Sequence, residues 1–216
     1  GSVSAGDVTI IPNAIELDRF SFDRRVRNEV RSELGVGDGL VVGHVGRFMP
    51  QKNHAFIVKV MASLLKSRPD ARLLLVGVGQ LQDEVKEQVR ALGIEDSVTF
   101  LGLRSDVDRL VQAMDVFVMP SLFEGLPVSA VEAQASGLPC VLADSITPEA
   151  VLIPGSMRVP LSCSPDEWAG AVLSVKGGDR HDALGIVTQK GFEIVEATRR
   201  LELFYEGSLK GAGVLE

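Results

Sequence analysis

An alternation constrains this chain more than any single motif does. Short continuous runs of Val, Leu and Ile take turns with segments of helical period. The apolar runs cover 40–45, 72–76, 98–101, 116–119 and 139–142. Continuous apolarity over so few residues marks strands covered on both faces, as in a parallel sheet. Helical patterns lie between and after them, over 54–65, 81–92, 107–114, 127–135, 166–175 and 192–205. Strict alternation implies right-handed crossovers and predicts an α/β, doubly wound, mostly parallel, Rossmann-like sheet. The punctuation agrees. Ser164-Pro165-Asp166-Glu167 sets a capping hydroxyl before a proline at the first helical position. Gly93 closes one helix, Pro127 opens another behind Gly125, and the glycines of 35–39 turn the chain into its first core strand.

Residues 3–214 read as a single domain, without repeats, low-complexity tracts or a long linker. Residues 1–2 and 215–216 read as cloning remnants. An apolar strand at 8–13 opens almost at once, as expected of a piece of a longer chain. A balance of 22 Lys and Arg against 29 Asp and Glu gives net charge −7 and no basic block, which argues against nucleic acid as a partner. No apolar run approaches the roughly 20 residues that span a bilayer. Cys140 and Cys163 have no metal-ligand neighbours, and so few thiols suit a reduced, cytoplasmic protein.

In a doubly wound sheet the ligand sits beyond the carboxyl ends of the strands. The loops to weigh are therefore 46–53, 77–79, 102–104, 120–125 and 144–149. In the first, Gly46 permits close backbone approach, Arg47 offers a planar fork for phosphate oxygens, and Lys52 adds a cation at a helix start. The alternative is a solvated loop with chance charges. Gly77-Val78-Gly79 lacks the third glycine of a dinucleotide fingerprint and reads as a tight turn.

The segment 121–133 carries more. Pro127 and Gly125 expose the N–H groups of Gly125 and Leu126, a pocket for hydroxyl or phosphate oxygens. Glu124 precedes the helix, and its plain reading is N-terminal charge stabilisation. Glu132 sits among Val128, Val131 and Ala135, where a carboxylate can accept from a ribose diol or be a partly buried acid satisfied by a neighbour. His44 reads as a core histidine, His54 as a cap or solvent-facing residue, and His181 as part of a polar stretch. None has metal-site spacing. Cys140 reads as a buried strand residue and Trp168 as core.

Taken together, Gly46-Arg47, Lys52-Asn53, Phe123-Glu124-Gly125, Glu132-Ala133 and Gly137-Leu138-Pro139 resemble the retaining glycosyltransferases of family 4, the group 1 glycosyltransferases. That family has two Rossmann-like domains, the GT-B fold. The resemblance covers essentially the whole chain and points to the C-terminal, donor-binding half. Ile11 to Glu16 is similar to the segment where the chain crosses from the first domain.

The resemblance implies that Arg47 and Lys52 bind the donor diphosphate and stabilise the leaving group. It implies that Glu124, with the N–H groups of Gly125 and Leu126, contacts the donor sugar. Glu132 would hold the ribose hydroxyls, and Gly102 and Leu103 would frame the base. Arg47, Lys52 and Glu124 would be the catalytic groups, with no cofactor and no metal. The partners implied are a nucleotide diphosphate sugar, in first place a UDP-sugar, and the absent N-terminal acceptor domain. That domain carries the family's histidine. The parent enzyme would work in the cytoplasm, at the inner face of the membrane. The stretch Asp144-Ser145-Ile146-Thr147-Pro148-Glu149 departs from the family's glycine-rich pattern and, with the Trp168 helix, looks more like a subgroup associated with exopolysaccharide or capsule assembly. Two other readings stand beside this one: a sugar-nucleotide epimerase of similar fold, and a non-catalytic α/β binding module.

Overall fold

The computed structural model describes residues 13–175 and 179–206. The expected strand at 8–13 lies, but for Asn13, outside the described residues, as do the chain ends. Six strands form one sheet: β1 (Val41–Val45), β2 (Arg72–Val76), β3 (Val98–Gly102), β4 (Val116–Met119), β5 (Cys140–Ala143) and β6 (Met157–Val159). Their order is β3-β2-β1-β4-β5-β6, and every pairing is parallel. Every residue of β4 and β5 is buried, as are four of the five in β2. That two-sided burial is why the strands appear in the sequence as unbroken apolar runs.

The helices are α1 (Arg24–Glu33), α2 (His54–Leu65), α3 (Gln82–Ala91), α4 (Val107–Ala113), α5 (Val128–Ala135), α6 (Pro165–Ser174), α7 (Ala183–Gln189) and α8 (Ile194–Tyr205). Packing joins α2 to α3 and α6, α1 to α4, and α5 to α7, the grouping of a sheet covered on both faces. Ser164 caps α6 in a full capping box with Glu167, at about 1 kcal/mol. Trp168 on that helix is fully buried, its indole N–H donating to the Pro160 carbonyl at 3.0 Å.

Three elements depart from the apolar pattern. β6 is short, α7 is a two-turn helix, and α1 has only a narrow apolar stripe, Val26 and Val30 continued by Leu34, with Arg27 and Arg31 beside it on the inner side. Arg27 donates to the carbonyls of Gln112 and Met114 and pairs with Asp115. Arg31, 8% exposed, reaches the carbonyls of Gly37, Gly39 and Ala113 as well as Asp115. From the other end of the chain Arg180 donates to the carbonyls of Val111, Gln112, Met114 and Ser136. Apart from those of Gly37 and Gly39, which belong to the loop before β1, these carbonyls lie at the C-terminal ends of α4 and α5, where the helix dipole also favours cations. Burial and the Arg27 charge draw the Arg180 pKa down to about 9, so it remains a cation at neutral pH.

The described ends of the chain meet. The N–H of Ile15 donates to the Phe192 carbonyl at 2.9 Å, and that of Ile194 to the Ile15 carbonyl at 3.1 Å. On α8, Val195 and Tyr205 stand 71% and 78% exposed, so this helix keeps an apolar surface outside the core.

Candidate functional site

Three backbone steps align the loops at the carboxyl edge. The N–H of Gly46 donates to the Val76 carbonyl, that of Gly77 to the Gly102 carbonyl, and that of Phe48 to the Val78 carbonyl. Gly77 has φ +134, and a Cβ there would lie 2.1 Å from the Gly46 carbonyl oxygen. The turn at 77–79 is therefore the seat of the 46–48 loop, in line with the tight-turn reading.

The second half of that loop is fastened to the loop after β4. Gln51 Nε2 donates to the Phe123 carbonyl at 2.9 Å, and the Leu122 N–H to the Gln51 carbonyl at 2.8 Å. Asn53 takes a left-handed backbone at φ 54, and its amide donates to the Pro120 carbonyl at 3.1 Å. Together these contacts bring Lys52 Nζ to Glu124 Oε1 at 2.6 Å, with the two side chains only 16% and 11% exposed. The loop after β5 completes the wall. Ser145 Oγ donates to the Ser121 carbonyl at 2.6 Å, and Glu124 forms a parallel bridge with Ile146.

Arg47 is exposed on the same loop and makes no ion pair among the described residues. The helix expected from Pro127 starts one residue later, with Pro127 as N-cap of α5. The N–H groups of Gly125 and Leu126 thus precede the helix, and among the described residues neither has an acceptor. A Cβ on Gly125 would meet nothing within 4 Å, so the backbone there faces open space. Gly102 has φ +67, and Leu103 beside it is 81% exposed.

Glu132 lies roughly one turn into α5 and faces a different space. A cavity of about 320 Å³ joins it to Ile15, Arg19, Phe20, Ser105, Val107 and Asp108. Desolvation pushes its pKa up to about 7; Arg19 opposes the rise and Asp108 adds to it. A half-buried carboxylate without a fixed donor stores free energy that a diol could recover. The candidate site therefore has two compartments: a mouth of Arg47 and Lys52 with Glu124, and a separate cavity at Glu132 on α5. A larger cavity of about 410 Å³ lies at the opposite edge, beside Arg27, Asp115 and Arg180, and shares no residue with this site.

One expected placement is corrected. His54 neither caps α2 nor faces solvent: it is 2% exposed and lies flat on Phe48, ring centroids 3.9 Å apart. It is the first residue of α2 and falls on the same buried face as Ile57, Val58 and Met61, at the helical spacing of three, four and seven residues. His44 is fully buried and Cys140 sits in β5, as the pattern predicts. Gln51, Arg19, Ser105 and Asp108 escaped the sequence reading. Asp108 carried a faint signal as an acid in the first turn of α4. The others had none, because their roles depend on loops distant in the chain.

A sheet that reverses its order between β1 and β4, with cations and acids at its carboxyl edge, defines a nucleotide-site type of α/β domain. The chain belongs to the family of glycosyl transferases group 1, whose model matches residues 26–180. It is 40% identical over 175 residues to the putative glycosyltransferase EpsF of Bacillus subtilis, across 80% of this chain and 46% of that protein. The chain spans about half the length of that relative. Among solved structures, Anabaena HepE in complex with UDP superposes with a TM-score of 0.80 at 24% identity, over 92% of this chain and 57% of that one. The C-terminal domain of a group 1 glycosyl transferase family protein from Francisella tularensis gives 0.68 at 18% identity, over 84% of this chain and 100% of that one. At these identities the two structures establish a shared GT-B-type fold. Among the described residues no helix is long and apolar enough to cross a membrane.

Proposed function

We propose that this chain is the C-terminal, donor-binding domain of a retaining, family 4-like glycosyltransferase. The whole enzyme would move a hexose from a UDP-sugar to an acceptor hydroxyl, with the acceptor site in a separate N-terminal domain and a role in exopolysaccharide or capsule assembly. One observation carries the reading: in a −7 chain Lys52 pairs with Glu124 at the carboxyl edge of the sheet, with Arg47 exposed on the same loop and the backbone N–H groups of Gly125 and Leu126 next to Glu124 in the chain. The full coverage of an isolated C-terminal domain and the UDP complex of a protein of the same fold support it.

The chemistry follows from the two compartments. The ribose diol donates to the Glu132 carboxylate in its cavity. The diphosphate takes Arg47 and draws Lys52 away from Glu124, exchanging one charge-assisted bond for another. Glu124, released, accepts from a hydroxyl of the donor sugar, while the N–H groups of Gly125 and Leu126 donate to its oxygens. When the sugar–phosphate bond breaks, charge builds on the departing diphosphate. Arg47, Lys52 and the start of α5 are already placed to stabilise it.

Calorimetry with UDP, GDP, ADP, uridine and UDP-sugars tests this. Arg47→Ala or Lys52→Ala should weaken UDP by about 1.5–3 kcal/mol, the range for a charged hydrogen bond, and leave uridine nearly unchanged. Glu132→Gln should weaken uridine and UDP alike, and Glu124→Gln should matter only when a sugar is attached. Four folded variants that all bind like the parent would refute the assignment.

A further inference from the structure

Beneath the mouth lie groups that the donor reading leaves unused. His44 Nδ1 meets the Val118 carbonyl at 2.8 Å. That bond assigns the proton to Nδ1 and leaves Nε2 an acceptor with no partner. Its position in the sheet is particular. β1 and β4 pair at Val42–Val116 and Gly43–Phe117, and the register extends no further. One residue on, the imidazole joins the two strands as they part into the loops that carry Lys52 and Glu124.

The other edge of the ring faces the loop itself. A Cβ on Gly46 would lie 2.8 Å from His44 Nε2 and 3.3 Å from Lys52 Cδ. Imidazole, Gly46 and the Lys52 stem are therefore layered without a gap. His54 meets His44 edge-on at 4.8 Å, Phe117 lies beyond His44 at 6.0 Å, and Phe48 and Phe100 continue the row past His54. Five rings thus run under the site from β3 to β4. Burial holds His44 down to about 3 and His54 to about 4, so both are neutral at physiological pH. A neutral support leaves the Lys52 charge intact, where a carboxylate in the same place would cancel it.

A leucine at position 44 would avoid the buried, unpartnered nitrogen, which costs stability as it stands. The imidazole is explained by what its other nitrogen ties. We propose that His44 is a positioning residue for the diphosphate loop, its Nδ1–H bond to Val118 fixing the spacing of β1 and β4 and its ring setting the path of Gly46 and Lys52. This rests on the donor-site reading above.

The test compares UDP with uridine, which offers no phosphate, in binding to the 216-residue chain. His44→Leu removes the tie at similar volume. His44→Asn keeps a donor near the Nδ1 position. His44→Leu should weaken UDP about tenfold, the upper range for one hydrogen bond, and leave uridine within about twofold, while His44→Asn restores UDP to within about threefold. If His44→Leu does not fold, His44→Gln, which carries its amide out at the Nε2 position, replaces it with the same expectation. Equal losses for UDP and uridine, no loss at all, or a His44→Asn as weak as His44→Leu would each overturn the inference while the donor reading stands. A parent chain that binds no UDP overturns both.

Discussion

Glu132 couples nucleoside binding to pH in a way that can be worked out in advance. Its folded pKa, near 7, stands above the ordinary value of 4.5 because the cavity between α4, α5 and residues 15–20 desolvates it. Only the carboxylate can accept from both hydroxyls of a ribose. With a pKa of about 7, roughly one molecule in eleven is ionised at pH 6 and ten in eleven at pH 8, so uridine affinity should rise about tenfold over that interval. Uridine is the right probe because it does not titrate there, whereas the terminal phosphate of UDP does. Calorimetry in buffers of different ionisation enthalpy should also show a proton released on binding near pH 6.5. Stability moves the other way. The folded state holds the extra proton between about pH 4.5 and 7, so the stabilising contribution is complete below the unfolded pKa and is lost as pH rises through the folded one. The shift corresponds to at most about 3 kcal/mol, and nearer 1–2 kcal/mol for a half-buried group that solvent still screens. Glu132→Gln should therefore melt higher than the parent at pH 8, match it near pH 5, and bind uridine weakly without pH dependence. A uridine affinity in the parent that is flat from pH 6 to 8 would refute the reasoning.

Two other substitutions probe the scaffold. Gly77→Ala forces a side chain onto φ +134 and to 2.1 Å from the Gly46 carbonyl, so it should cost more than about 3 kcal/mol in chemical denaturation, with UDP binding lost alongside. Arg180→Ala strips the donor from the carbonyls of Val111, Gln112, Met114 and Ser136 and should lower stability by about 2–4 kcal/mol in a urea titration, with uridine affinity of the folded fraction unchanged.

Local chemistry was enough to place much of this protein. The apolar runs, the Ser164 cap, the turn at Gly77 and the helix over 54–65 all depend on neighbours within a few residues, and periodicity reports such neighbours well. It also put Gly46, Arg47, Lys52 and Glu124 in loops that a parallel sheet must gather at one edge. What each of them touches there was decided by the tertiary structure. Lys52 meets Glu124, 72 residues away, because β1 is paired with β4 and the Gln51 and Asn53 side chains bind the two loops together. The cavity around Glu132 exists only where residues 15–20 cross α4 and α5, so its raised pKa has no trace in the residues beside it. Likewise the inward turn of Arg27 and Arg31 on α1, beside the narrow stripe of Val26 and Val30, has no local sign, since the groups they satisfy are carbonyls some 80 residues on. A buried charge needs partners, and an inward histidine the rings packed on it, that only the fold supplies, and a sequence pattern read over a few turns contains none of them.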